Sequence, residues 1–108
     1  MTESELPDDA DGAALKRLAD DGVSLGESRE VDFSIWLNDR EEAYRVQQLL
    51  DGKGYRFRVY QVRMSGRWSI DCTRVVRLGY EAIVAAQNEL NADLAPLGLV
   101  CDGWGTAH

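Results

Sequence analysis

Two groups of residues in this 108-residue chain have the types and spacing needed to bind another molecule. The first lies near the C-terminus and reads Asp102-Gly103-Trp104-Gly105-Thr106. A tryptophan between glycines and beside a carboxylate can act as an aromatic anchor for the arginine and apolar groups of a protein partner. An equally well supported structural interpretation has Trp104 closing the core at a sheet edge, while Asp102 accepts hydrogen bonds from turn amides.

The second group combines aromatic and arginine side chains on one face of two alternating strands: Trp36, Arg56, Arg58 and Tyr60. RNA-recognition motifs use such residues on an open sheet to stack single-stranded bases. The next strand opposes this interpretation, because it places Ser69, Asp71 and Thr73 where that module carries rings. We favour an alternative in which an N-terminal helix covers this face and buries Leu15 and Leu18 against the two aromatic rings.

The residues available for catalysis are few and poorly placed. Acidic pairs such as Asp20 with Asp21 lie in the N-terminal tail or at helix ends, where solvated carboxylates are the norm. The single histidine, His108, is the last residue, and Cys72 and Cys101 lack the Cys-x-x-Cys spacing of metal and redox sites. The sequence therefore predicts a protein that is not an enzyme and that holds no metal and no cofactor.

Charge is unevenly distributed along the chain. The formal net charge is −7, which disfavours nucleic acid as a direct partner, whereas residues 53–77 are strongly basic. We favour docking of the acidic N-terminal segment on this basic middle, since an intramolecular partner is always at high effective concentration. The alternative is two faces of opposite sign for different partners. The acidic N-terminus and the lack of a long apolar run predict a cytoplasmic protein without a membrane span.

The elements that must position these residues follow from apolar periodicity. One domain spans residues 1–108, with residues 1–8 as a loose arm. In chain order we predict a helix at 10–21, a strand at 29–37, a helix opened by an Asn38–Glu41 capping box, strands at 55–62 and 67–74 around a turn at 64–66, a helix at 78–95 and a strand at 99–102.

This order is that of a ferredoxin-like α+β sandwich, βαββαβ, with the antiparallel sheet order 4-1-3-2 and an additional N-terminal helix. The first strand then separates Cys72 from Cys101 by more than a disulfide can span, so both are predicted to be free thiols.

Three segments of the sequence resemble one known family. Residues 102–106, Asp-Gly-Trp-Gly-Thr, are similar to the C-terminal signature of the RraB-type ribonuclease E inhibitors. Residues 18–25 resemble that family's leader, an acidic helix ending in Asp-Gly, and Gly54-Tyr55 resembles the entry to its second strand. The similarity spans roughly residues 8–106.

The resemblance implies a ferredoxin-like protein without catalysis that binds ribonuclease E at an arginine-rich, non-catalytic segment and lowers RNA decay. It places the partner contact at the signature, residues 102–106. Two alternatives stay open: a single-stranded RNA-binding module that uses the open sheet face, and a ferredoxin-like domain that forms homodimers. The oligomeric state does not follow from the sequence.

Overall fold

The computed structural model describes residues 6–106, so most of the predicted loose arm and His108 lie outside the described residues. The elements in chain order are α1 (Ala10–Asp20), β1 (Ser28–Leu37), α2 (Glu41–Leu49), β2 (Arg56–Gln61), β3 (Trp68–Arg77), α3 (Tyr80–Leu94), a 3-10 turn (Ala95–Leu97) and β4 (Cys101–Gly105). Each predicted helix and strand is present, with boundaries that shift by a few residues.

The four strands form one antiparallel sheet in the order β2-β3-β1-β4, which is the predicted order 4-1-3-2 viewed from the other edge. Phe33 in the central strand β1 lies opposite Cys72 of β3 and Trp104 of β4. Because side chains alternate along a strand, this register sends one complete set of apolar residues to the same face. The predicted strand order is therefore confirmed.

The core lies between this face of the sheet and the helices. From β1 it takes the alternating residues Val31, Phe33, Ile35 and Leu37, all buried. From α3 it takes the predicted stripe at three- and four-residue spacing, Ile83, Ala86, Leu90 and Leu94. Helix α2 adds its own buried stripe, so α2 and α3 cover the same side of the sheet.

The N-terminal helix lies on the helix side of the sheet, not across the open face. Leu15 is 0 % exposed and belongs to the core, and Leu18 is also buried there. Asp11 of α1 accepts hydrogen bonds from Gln87 of α3 and from Trp104 of β4. The prediction that α1 covers Trp36 and Tyr60 is therefore wrong. The large rings at the β4 end of the core need a third helix to shield them from water.

Docking of the acidic N-terminal segment on the basic middle of the chain is limited to one ion pair, Glu30 with Arg56, and the carboxylates at the start of α1 take no part in it. Asp9 caps α1 through the Gly12 amide and also accepts a hydrogen bond from the Tyr80 hydroxyl, and Asp11 accepts its bonds from neutral donors. These carboxylates bind uncharged groups of the helix side rather than the arginines of residues 53–77.

Two local predictions also change. The capping box of α2 is formed by Asp39 and Glu42 rather than Asn38 and Glu41, because the Asp39 carboxylate accepts from the Glu42 amide and the Glu42 carboxylate from the Asn38 amide. Strand β4 begins at Cys101 and runs through Gly105, whereas we predicted residues 99–102. Pairing of Trp104 with Phe33 draws the glycines into the strand despite their low β-propensity.

Cys72 and Cys101 are free thiols, as predicted, and β1 lies between their strands. Within residues 6–106, no helix has both the length and the apolar character needed to cross a bilayer.

Candidate functional site

The face of the sheet that points away from the helices carries the second group of residues identified in the sequence. Strand pairing arranges them in three cross-strand rows: Trp36–Ser69–Tyr60, Ser34–Asp71–Arg58 and Asp32–Thr73–Arg56. Alternation places these side chains opposite the buried residues of each strand. The structure thus brings Trp36, Arg56, Arg58 and Tyr60 together on one open face, as the strand pattern predicted.

The C-terminal signature divides between the two faces of the sheet. Trp104 points to the core side, half-buried, and its Nε1 donates to Asp11 Oδ1 at 2.9 Å. Asp102 belongs to the open side, where its Oδ2 accepts from Trp36 Nε1 at 3.0 Å. Thr106 Oγ1 donates to the carbonyl oxygen of Glu30 at 2.7 Å. Trp104 therefore closes the core, as the structural interpretation held, and Asp102 contacts a ring rather than turn amides.

The two glycines of the signature pair with open-face residues of β1. Gly103 lies opposite Ser34, and Gly105 lies opposite Asp32, on the edge of the open face. The register of β1 and β4 shifts between Ser34 and Ile35, which is the irregularity of a β-bulge. The hydrogen bond between Trp36 and Asp102 joins the open-face residues to the outer side of the signature strand. Sequence reasoning did not find this link, since the two residues are 66 positions apart.

A hydrogen-bond network fixes the centre of the open face. Asp71 Oδ1 accepts from Ser34 Oγ at 3.1 Å and from the Tyr60 hydroxyl at 3.4 Å. In the next row, Thr73 Oγ1 donates to Asp32 Oδ1. Both carboxylates thus sit among hydroxyl donors, which satisfies them and orders the surrounding side chains.

The arginines of the open face fall into two kinds. Arg56 forms an ion pair with Glu30. Arg67 instead lies over the Trp36 ring, 4.3 Å from its centroid, and Arg58 lies over the Tyr60 ring at 5.1 Å. These distances are those of cation–π contacts, which stabilise an exposed pair only modestly.

The end of the sheet at the β2–β3 hairpin therefore has a local excess of positive charge beside two rings. We call this surface the aromatic–arginine patch: Trp36, Arg58, Tyr60 and Arg67, together with Arg63 of the adjoining hairpin turn. Its three arginines are exposed, and none has a carboxylate within ion-pair distance among residues 6–106. Arg67 and Arg63 were not among the predicted site residues. The alternation of Arg67 with the half-buried Trp68, which packs against the core, is the signal that places Arg67 on this face.

The helix side of the molecule carries an excess of negative charge. The helices and their flanking turns hold most of the acidic excess, and α3 contains Glu81, Glu89 and Asp93 but no basic residue. Several exposed carboxylates have no ion-pair partner within residues 6–106, and four of them lie on or directly after the three helices. We call these four the acidic helix layer: Asp20, Glu41, Asp51 and Glu81. Neither interpretation of the uneven charge holds for the whole surface, because the helix side is acidic whereas the open face combines arginines with the carboxylates of Asp32, Asp71 and Asp102.

The two thiols are poorly suited to nucleophilic chemistry. Burial raises the pKa of Cys72 to about 12 and the pKa of Cys101 to about 11. The thiolate is the reactive form of cysteine, so both side chains are protonated and unreactive at neutral pH. Within the described part of the chain, no three His, Cys, Asp or Glu side chains are grouped closely enough to hold a metal ion.

Comparison with known proteins gives one result. A family model described as "RraB: Regulator of ribonuclease activity B" matches residues 8–106. Comparisons with curated proteins and with solved structures return no match. The family match includes α1, the whole sheet and the signature strand β4. Because it extends over nearly the entire length of the sequence, this chain belongs to the RraB family of regulators of ribonuclease activity.

Proposed function

We propose that this protein binds a ribonuclease of the E type, occupies a protein surface on it and lowers its activity on RNA, without catalysing a reaction itself. Membership of a family that regulates ribonuclease activity supports the regulatory role. The βαββαβ order and the sheet order support a ferredoxin-like sandwich as the scaffold, with α1 as an addition to its helix side.

The acidic helix layer is the observation that carries this proposal. Asp20, Glu41 and Glu81 are exposed and form no ion pair within residues 6–106. An arginine-rich segment of a partner would supply the missing positive charge. Charge complementarity of this kind raises the rate of encounter and weakens as salt increases.

The chemistry of the remaining groups supports a role in binding rather than catalysis. The thiols of Cys72 and Cys101 have raised pKa values because they are buried. The inner carboxylates of the open face, Asp32 and Asp71, accept hydrogen bonds from hydroxyl groups, which hold them in structural roles. A protein with such groups acts on a ribonuclease by contact.

The signature strand has two roles in this proposal. Trp104 and Thr106 fix β4 against α1 and β1, and the exposed Asp102 adds a carboxylate at the edge of the sheet that a basic partner can reach. Gly103 and Gly105 carry no side chain, so a partner can approach the backbone of this edge closely.

The test is inhibition of purified ribonuclease E acting on a single-stranded RNA substrate. We expect the wild-type chain to slow RNA cleavage and the triple variant D20N/E41Q/E81Q to inhibit with about 2- to 10-fold weaker potency, as estimated from screened charges in water. The matched control K16Q/R45Q removes two exposed basic residues from the same helices and should inhibit at least as well as wild type.

Opposite effects of the two variants would identify electrostatic attraction as the cause. Equal losses in both variants would contradict an electrostatic contact through the helix layer. Full RNA cleavage in the presence of excess wild-type chain would contradict the proposed function itself.

A further inference from the structure

We propose that the aromatic–arginine patch binds single-stranded RNA, independently of any ribonuclease. This is a second binding site, on the face of the molecule opposite the acidic helix layer. Helix α1 packs on the helix side of the sheet, so it does not cover Trp36 and Tyr60.

The rings are arranged for base stacking. Trp36 and Tyr60 occupy one cross-strand row, with Ser69 between them, so their backbones are about 10 Å apart at the usual strand spacing. Ser69 is only 2 % exposed, and its hydroxyl donates to the carbonyl oxygen of Ile35. The residue between the two rings therefore has its own hydrogen-bond partner and does not project between them. Two flat rings on an open sheet can each accept one base.

The orientation of the Trp36 indole is fixed. Its Nε1 donates to Asp102 at 3.0 Å, and the Arg67 guanidinium lies over its face. A base would either take the place of this guanidinium or stack against its plane, and Arg67 would then be free to contact phosphate. A base at Tyr60 would displace the Arg58 guanidinium or stack against it in the same way. In the free protein the guanidinium groups of these arginines lie over the ring faces.

The arginines give the patch positive charge for a phosphate backbone, while Asp102 and Asp71 accept hydrogen bonds from the polar groups of its two rings. Arg58, Arg63 and Arg67 have no carboxylate within ion-pair distance among residues 6–106. The molecule is 21 Å thick along its shortest axis. Electrostatic interactions decay over about 8 Å at physiological ionic strength, so the acidic helix layer is largely screened from the opposite face.

Single-stranded RNA fits this surface better than an acidic peptide or a duplex. An acidic peptide would use the three arginines but leave the ring faces without a planar partner. A duplex keeps its bases stacked inside, so it offers phosphates to the arginines and no base to Trp36 or Tyr60. Only an unpaired strand offers phosphates to the arginines and bases to the two rings.

The experiment is fluorescence anisotropy of a labelled oligouridine of about 10 nucleotides titrated with the full chain at about 0.1 M salt. We expect a rise in anisotropy with wild type. W36A should weaken binding roughly 5- to 100-fold, which is the range that loss of one stacking ring produces. W36F keeps a ring without the indole N–H and should stay within a few-fold of wild type.

Matched controls come from α2, on the helix side. Y44A removes a tyrosine that is 63 % exposed, and R45A removes an exposed arginine, so both should leave the affinity unchanged. The corresponding variants on the patch, Y60A and R67A, should weaken it. Circular dichroism of each variant shows whether the fold is retained.

Three results would overturn the proposal. They are no rise in anisotropy with wild type, equal losses in Y44A and Y60A, and stronger binding of a duplex or of a polyglutamate peptide than of oligouridine. No ribonuclease is present in this assay, so its failure would leave the proposed inhibition of ribonuclease intact. Failure of the inhibition assay would likewise leave RNA binding intact.

Discussion

Replacement of Asp11 by alanine should weaken the attachment of α1 to the rest of the fold. The carboxylate of Asp11 is the point at which three elements meet, because it accepts from Trp104 Nε1 of β4 at 2.9 Å and from Gln87 Nε2 of α3 at 3.1 Å. Both bonds are partly buried. The variant D11A removes the acceptor and leaves two donors without a partner.

The expected cost follows from these two bonds. A hydrogen bond to a charged group contributes about 1.5–3 kcal/mol in mutational series, and two donors that share one acceptor are not additive. Asp11 also lies in the first turn of α1, where a carboxylate stabilises the helix dipole by about 0.3–1 kcal/mol. We therefore expect D11A to lower the free energy of unfolding by about 2–4 kcal/mol.

Urea unfolding followed by far-ultraviolet circular dichroism measures this loss without relying on tryptophan fluorescence. With a slope of about 1.5 kcal/mol per M, the midpoint should fall by about 1–3 M. Amide hydrogen exchange should show faster exchange in α1 than in the sheet. The control D20A changes an exposed carboxylate at the last residue of the same helix and should stay within about 0.5 kcal/mol of wild type.

A urea midpoint for D11A that matches that of D20A would show that the two hydrogen bonds of Asp11 do not stabilise the fold. A double-mutant cycle of D11A with W104F isolates the indole bond, because phenylalanine keeps a ring but has no N–H. The expected coupling is about 1 kcal/mol or more, and a coupling near zero would show that the indole bond does not hold α1.

Three further predictions concern other parts of the structure. A Cβ atom at Gly12 would lie 1.8 Å from the carbonyl oxygen of Pro7. G12A should therefore lower the free energy of unfolding by about 1–3 kcal/mol despite the better helix propensity of alanine. A melting temperature of G12A at or above that of wild type would contradict this. Burial raises the pKa of Cys72 to about 12 and of Cys101 to about 11, so both thiols should react with a disulfide reagent at about pH 8 only as the protein unfolds; rapid labelling of the folded chain would exclude this. The Tyr80 hydroxyl lowers the pKa of Asp9 below 3.8, while Asp9 raises the pKa of Tyr80 above 10.0. This contact therefore stabilises the fold at neutral pH and is lost as pH falls through the lowered pKa or rises through the raised one. Y80F should melt below wild type at about pH 7 and converge with it at about pH 2, and an equal difference at both pH values would contradict the assignment.

The strands could be predicted because one face of the sheet is buried. In β1, Val31, Phe33 and Ile35 alternate with polar residues, and a shift of one position would expose all of them. The same alternation predicted that Trp36 and Tyr60 share a face. Alternation within each strand was sufficient to predict which of its side chains are buried and which lie on the open face.

The position of α1 could not be predicted from its own pattern. An apolar stripe shows that Leu15 and Leu18 are buried but not which surface buries them. The deciding contact joins Asp11 to Trp104, 93 positions away. The same limit applies to β4, because pairing with Phe33, not local propensity, draws the glycines around Trp104 into a strand.

The proposed regulation of a ribonuclease depends on charge-complementary contact with the acidic helix layer. Its most direct test is the Kd of the purified chain for ribonuclease E, measured by calorimetry over a range of salt concentrations. We expect Kd to rise steadily with salt and D20N/E41Q/E81Q to reduce the slope. A Kd that does not change with salt, or no measurable binding at low salt, would contradict it.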